Sequence, residues 1–89
     1  MGHLNRATMK AIRKAHEVEC IQYNGNPEEV VEFYNDHMDD DAVFDTDENY
    51  MWIATQWGQN VIIDEGNWLI LSGFRHLVVT DKEFKEQYD

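Results

Sequence analysis

Polar and apolar residues alternate over residues 16–23, whose sequence is His-Glu-Val-Glu-Cys-Ile-Gln-Tyr. Val18 and Cys20 fall on one face and the glutamates on the other, which is typical of a strand with one buried face. The alternation becomes ambiguous at Ile21 and Tyr23, where a bulge could exchange the two faces. The pattern predicts a half-buried strand that ends at the Asn24-Gly25 turn signal.

A helix start follows this turn at residues 26–29, Asn-Pro-Glu-Glu. Asn26 suits the N-cap and Pro27 the first helical position, where its missing N–H costs nothing. Glu29 stands three residues after Asn26, as in a capping box. An apolar stripe at helical spacing comes next, formed by Val30, Phe33, Tyr34 and His37, with Val31 as a further candidate. These signals predict a helix from Pro27 to about His37, packed on a sheet.

Short apolar segments separated by turn residues make up most of the remaining chain. Predicted strands cover 42–46, 50–56, 61–64, 67–72 and 75–79. In the first of these strands we expect Val43 inside, with Phe44 as a second candidate. The short connections indicate an antiparallel meander.

The chain closes with a second helix over about residues 81–88. Thr80 suits its N-cap, and Glu83 completes a capping box. Phe84 and Tyr88 share one helical face that could pack on the sheet. The order of elements predicts an α+β fold, with a small antiparallel β-sheet of about four to six strands packed by one main helix and a short C-terminal helix.

The length of 89 residues fits one domain. We expect residues 1–9 to form a flexible leader and residues 10–89 a single α+β domain. The lone cysteine, Cys20, allows no internal disulfide, suits a small core position and favours a reducing cytoplasm. Neither a signal peptide nor a membrane span is predicted.

Charge is distributed very unevenly along this sequence. Residues 15–74 contain 14 Asp and Glu but no Lys or Arg, so this part alone carries a formal charge of −14. The whole chain carries −11. The seven basic residues, all near the ends, offset part of it. Such a segment repels nucleic acids and anionic membranes and attracts basic protein surfaces.

Three segments of the chain resemble a family of small phage and prophage proteins of unassigned function. These are a basic start with a strand ending in Ile-Gln-Tyr-Asn-Gly at 21–25, a Gly-Asn-Trp-Leu-Ile-Leu-Ser-Gly segment at 66–73, and an Asp-x-x-Phe-x-x-x-Tyr helix at 81–88. The resemblance implies a phage or prophage origin and a location in the host bacterial cytoplasm, but no activity. The chain departs from the family at 76–80, where His-Leu-Val-Val-Thr replaces a Tyr-Pro-Cys-Lys-Pro-like stretch.

Metal and nucleophile motifs are weak in this sequence. Asp45, Asp47 and Asn49 match the first ligand positions of a calcium loop, but Tyr50 replaces its turn glycine and Gln56 its bidentate glutamate. The pair His16 and Cys20 lies about 13 Å apart on a strand, too far for a nucleophile and its base or for two ligands of one metal. We therefore predict no catalytic residue, no cofactor and no metal site.

The tryptophans complete the prediction. Trp52 and Trp68 are expected in the core, whereas Trp57, beside Gly58 in a turn, is expected to be exposed as a protein-binding anchor. We predict a non-enzymatic phage or prophage accessory protein that binds a basic surface of a host or phage protein. The predicted contact residues are Asp36, Asp39, Asp40, Asp41, Asp45, Asp47, Glu48 and Trp57.

Two alternative functions are also compatible with the sequence. One is a DNA mimic that inhibits a host DNA-binding enzyme, since carboxylates spaced along helices and strands roughly imitate a phosphate track. The other is a weak divalent-metal binder or small enzyme. Direct nucleic-acid or membrane binding is not expected, and the chain is predicted to be a monomer or a weak homo-oligomer.

Overall fold

The computed structural model describes residues 8–13 and 16–88, with side chains from Val18 to Tyr88. Its elements are β1 (Thr8–Arg13), β2 (His16–Gln22), α1 (Pro27–Met38), β3 (Val43–Thr46), β4 (Tyr50–Ala54), β5 (Asn60–Asp64), β6 (Trp68–Ser72), β7 (Arg75–Val79) and α2 (Asp81–Gln87). The α+β class, the antiparallel strands and both helices are confirmed. Residues 1–7 of the predicted leader lie outside the described residues. Its last two, Thr8 and Met9, lie in β1, a strand that was not predicted from the sequence.

The described strands form two sheets, so the prediction of a single meander is wrong. A four-stranded sheet has the order β1-β2-β6-β7, and a three-stranded sheet has the order β3-β4-β5. The chain changes sheets at Gly66, whose φ of 95° permits a sharp turn. There the Gly66 N–H donates to the Tyr23 carbonyl (2.8 Å) and the Tyr23 N–H donates to the Asn67 carbonyl (2.9 Å). These bonds place β6 beside β2 instead of beside β5.

The two central strands of the four-stranded sheet, β2 and β6, are buried on both faces over their described side chains. Ile21, Leu69 and Leu71 belong to one core cluster, which they share with α1 and the inner face of the three-stranded sheet. Cys20 and Ile70 belong to a second cluster, which includes residues of α2. The expected half-buried strand is therefore covered on both sides. Its register with β6 is continuous from Glu19 to Gln22, so no bulge exchanges the faces there.

Helix α1 covers nearly the predicted span, but its N-terminus lacks the predicted capping bonds. Asn26 makes no side-chain capping bond, so the predicted capping box with Glu29 does not form, although Pro27 and two glutamates occupy the first turn as expected. The buried side of the helix consists of Val30, Val31, Phe33, Tyr34 and Met38. His37, assigned to the apolar stripe by its spacing, is only partly buried.

The end of α1 is fixed by Asn35. Asp39 adopts a left-handed conformation with φ 55°, and its N–H donates to the Asn35 carbonyl. The Asn35 side chain then binds Ala42 twice, donating to its carbonyl at 3.1 Å and accepting from its N–H at 2.9 Å. These bonds hold the acidic loop 39–41 between α1 and β3 despite the unfavourable charge at the helix C-terminus.

Helix α2 closes the second core cluster. The predicted capping box between Thr80 and Glu83 is present. Phe84 stacks on Trp68 with ring centroids 3.9 Å apart, and the Trp68 indole donates to the Asp81 carboxylate at 2.9 Å. Trp68 is buried as predicted. Its contacts with Phe84 and Asp81 join α2 to the face of the four-stranded sheet that points away from α1. No helix of the described part is long and apolar enough to cross a membrane.

Candidate protein-binding site

Six of the eight predicted contact residues lie at the two opposite ends of the three-stranded sheet. Asp39, Asp40 and Asp41 follow α1, and Trp57 lies in the turn after β4. Asp45 lies in β3, while Asp47 and Glu48 lie in the turn that precedes β4. The length of β4, about 16 Å, separates the two turns. Asp36 is exposed on α1.

One hydrogen bond joins the loop after α1 to the turn that carries Trp57. The Asp40 carboxylate accepts from the Gln56 N–H at 3.4 Å, one residue before Trp57. Asp40 is half-buried, whereas Asp39 and Asp41 are exposed. The structure therefore brings Asp40 and Trp57, two of the residues predicted from sequence, to the same end of the molecule.

The turn after β4 holds Trp57 outward. Both the N–H and the hydroxyl of Thr55 donate to the Gln59 carbonyl, at 3.1 and 2.9 Å. Gly58 takes a φ of 79°, which lets the chain reverse. Trp57, at the tip, is 57% exposed, so the prediction of an exposed indole is confirmed.

Beside this turn is an open groove of about 360 Å³ between α1, the β4–β5 turn and the β6–β7 turn. It is lined by Tyr34, Met38, Thr55, Trp57, Gln59, Phe74 and His76. Phe74 is 85% exposed at the tip of the β6–β7 hairpin. The groove thus presents two aromatic side chains to solvent next to the acidic loop.

Tyr34 lies on the inner side of the groove, near the carboxylate of Asp40 in the acidic loop 39–41. Burial raises its pKa, the negative charge of Asp40 raises it further, and a hydrogen bond with Thr55 acts in the opposite direction. The phenol is therefore neutral at physiological pH and adds no charge to the groove. Its hydroxyl instead links α1 to the end of β4.

His37 fixes the other side of the groove. Its Nε2 lies 2.8 Å from the Gly73 carbonyl, which can only accept, so Nε2 carries a proton and donates. Its Nδ1 lies 3.2 Å from a carboxylate oxygen of Glu19. The imidazole therefore ties α1 to the turn that presents Phe74 and lies against Glu19 of β2, which is a structural role.

Phe74, Tyr34 and His76 also line the groove, although the sequence did not predict it. Phe74 had a usable signal, because the second residue of a two-residue hairpin turn after glycine cannot reach the core. Tyr34 was assigned only to the apolar stripe of α1. Its position at an open groove depends on two turns that are distant in sequence.

A second depression, of about 600 Å³, lies near the Gly66 turn. It is lined by Asn24, Asn49, Asp64, Glu65 and Gly66. Its polar lining offers no aromatic anchor. Within the described residues, no three His, Cys, Asp or Glu side chains converge in a way that could hold a metal ion.

Cys20 is fully buried and lies away from both depressions. Burial, with a smaller contribution from the charge of Glu19, raises the pKa of its thiol to about 11. The thiol is therefore protonated and inaccessible, as a structural cysteine is. The predicted core role of Cys20 is confirmed.

Comparison of the chain with family models, with curated proteins and with solved structures found no match. The resemblance to small phage and prophage proteins therefore stays a prediction.

Proposed function

We propose that this chain is a non-enzymatic domain that binds a basic surface of another protein at the groove between α1 and the two turns. The observation that carries the proposal is the position of Trp57 and Phe74, 57% and 85% exposed, around an open groove beside Asp40. Large aromatic side chains are costly to leave in water and are common anchors of protein interfaces.

Charge supports a cationic partner. Residues 15–74 contain no Lys or Arg, so α1, the acidic loop and the β4–β5 turn carry no cation that could neutralise their carboxylates within these segments. Such a field accelerates encounter with a basic surface, and the effect decreases as salt screens it. In this proposal Asp36, Asp39, Asp40 and Asp41 steer the partner, while Trp57 and Phe74 supply the contact area.

The proposal extends to an accessory role for a phage or prophage, acting on a host or phage protein in the bacterial cytoplasm. Its support is the sequence resemblance over residues 10–88. Competition with DNA remains the alternative for a partner that itself binds DNA. The apolar rim of the groove favours a protein contact, because a phosphate track has no equivalent of Trp57 or Phe74.

Salt-dependent capture tests the proposal. The immobilised chain is exposed to a bacterial lysate at about 0.05 M salt, eluted at about 0.5 M, and the eluted proteins are identified by mass spectrometry. Dissociation constants are then measured with each purified protein. We expect a basic protein whose affinity decreases steeply with salt and decreases about tenfold or more with Trp57→Ser.

Leu77→Ser is the matched control, because Leu77 is 45% exposed on β7 and points to the face that carries α2. We expect it to leave the affinity unchanged. Equal losses from both variants, or binding that does not depend on salt, would refute the proposal. Displacement of the chain from its partner by duplex DNA would identify the DNA mimic.

A further inference from the structure

The outer face of the three-stranded sheet is apolar at its centre and has no element packed on it among the described residues. The register pairs Val43 with Ala54, Asp45 with Trp52 and Trp52 with Ile62, so these side chains share one face. Val43 is 67% and Ile62 56% exposed, and Trp52 is half-buried between β3 and β5. Two predictions are thereby wrong: Val43 is not inside, and Trp52 is not in the core.

Carboxylates border this apolar centre on both edge strands. Asp45 lies on β3, directly opposite Trp52. Asp64 lies on β5, directly opposite Tyr50, whose ring centroid is 5.8 Å from that of Trp52. Both aspartates are exposed. An aromatic and aliphatic strip thus runs between one carboxylate on each edge strand.

We propose that this outer face is the docking site of a cationic amphipathic helix of a partner protein. Three strands spaced by about 4.8 Å span about 10 Å, close to the diameter of a helix. Five-residue strands extend about 16 Å, the length of roughly 11 helical residues. The apolar stripe of such a helix covers Trp52 and Ile62, and its flanking Lys or Arg side chains meet Asp45 and Asp64.

Charge selects this occupant over a second copy of the chain. Two outer faces in contact would place aspartates from both copies near one another, on chains with a formal charge of −11 each. A helix with basic flanks reverses the sign of that interaction. The proposal rests on the proposed function only in requiring a cationic partner, since its residues differ from those of the groove.

Defined peptides test this inference without knowledge of the natural partner. The probe is a synthetic helical peptide of Leu and Lys, with leucines at i, i+3, i+4 and i+7. Its controls are a peptide of the same composition in scrambled order and one with Glu in place of Lys. Chemical-shift mapping of the ¹⁵N-labelled chain locates the contact, and calorimetry gives the affinity.

We expect the amphipathic cationic peptide to shift the Trp52 indole and the Ile62 amide, and neither control peptide to do so. Ile62→Ser should weaken binding about tenfold, because docking buries the half of this side chain that is exposed. Val43→Ser, on a different strand, should also weaken it. Both positions are exposed, so both variants should fold, which circular dichroism verifies.

Leu77→Ser is the matched control and should leave peptide binding unchanged. Asp45→Asn combined with Asp64→Asn should weaken binding and reduce its salt dependence. Equal binding of the scrambled peptide, shifts confined to the groove, or concentration-dependent dimers that Ile62→Ser abolishes would overturn the inference.

The two proposals fail separately. If Ile62→Ser is without effect on peptide binding while Trp57→Ser weakens a captured basic protein, the helix-docking inference is wrong and the proposed function stands. If the peptide docks as expected but no salt-dependent protein partner is captured at the groove, the reverse holds.

Discussion

Replacement of Phe84 by alanine should remove most of the attachment of α2. Phe84 is 6% exposed and stacks on Trp68 at 3.9 Å and on Tyr88 at 5.1 Å between centroids. Burial of a phenylalanine side chain contributes about 1.5–3 kcal/mol, and each stacked pair adds about 0.5–1.5 kcal/mol. Because a short terminal helix can shift to fill part of the cavity, we expect a loss of about 3 kcal/mol.

Such a loss is large for this chain. At 89 residues the free energy of unfolding is expected to be about 4–13 kcal/mol. With a urea m-value of about 1.5 kcal/mol/M, the midpoint should decrease by about 2 M. Far-UV circular dichroism is the suitable signal, because the fluorescence of Trp68 changes with its stacking partner.

Phe74→Ala provides the same substitution at an 85% exposed site. We expect it to change stability by less than about 0.5 kcal/mol. A Phe84→Ala loss below about 1 kcal/mol, or one equal to that of Phe74→Ala, would refute the packing of α2 on Trp68. A loss of near-UV signal without any shift of the urea midpoint would indicate local undocking of the helix instead.

Three further predictions follow from single residues. At pH of about 8 roughly one Cys20 thiol in a thousand is ionised, so a thiol reagent such as DTNB should leave the native chain unmodified. The same reagent should modify the chain unfolded in concentrated guanidinium chloride. Rapid modification of the native chain would contradict the burial of Cys20. The pKa of Asp81 is lowered, chiefly by the Trp68 indole and then by Lys85, so its ionised form stabilises the fold above its ordinary pKa of 3.8, and this stability is lost as pH falls through the lower folded value. The melting temperatures of the native chain and of Asp81→Asn should therefore converge on acidification. Parallel curves would show that this carboxylate contributes no stability. Gly66→Ala should lower the free energy of unfolding in urea by about 1–2 kcal/mol, because a φ of 95° is strained for alanine although the space around Gly66 is open. An unchanged urea midpoint would mean that the turn relaxes to relieve this strain.

Local signals were sufficient for the helices and most of the turns. Pro27 at the start of α1 and the Thr80–Glu83 capping box at the start of α2 act within a few residues, so the sequence reports them directly. The same holds for Trp57, because a large side chain beside Gly58 at the tip of a tight turn has no core within reach. These features are independent of which strands pair.

Strand pairing was beyond local signals. The segment 60–72 contains β5 and β6 joined by a short turn, which indicates a hairpin, yet β6 pairs with β2, more than 40 residues earlier in the chain. Such a choice depends on which apolar faces can be covered together. That choice also decides that β2 is buried on both sides and that Trp52 and Val43 face outward.

The candidate site was predicted in part, for the same reason. Asp40 and Trp57 were both selected from sequence, and the Asp40–Gln56 bond brings their segments together. Asp45, Asp47 and Glu48 were assigned to the same surface because they are close in sequence. Instead, Asp47 and Glu48 lie in the turn at the far end of the sheet, and Asp45 lies opposite Trp52 in the middle of β4. Phe74 follows Gly73, whose carbonyl accepts from His37, a residue 36 positions earlier in the chain, so its place beside α1 depends on a long-range contact.

The two proposed surfaces share β4 and β5, which determines how their acidity acts. Trp52 and Ile62 lie within these strands, and Trp57 lies in the turn that joins them. Because residues 15–74 lack Lys and Arg, no cation from this segment opposes the carboxylates beside either surface. Two copies of the chain therefore repel each other where their apolar side chains would otherwise associate, while a basic partner is attracted to the same places. The same carboxylates can thus keep an exposed apolar sheet face soluble and select what covers it.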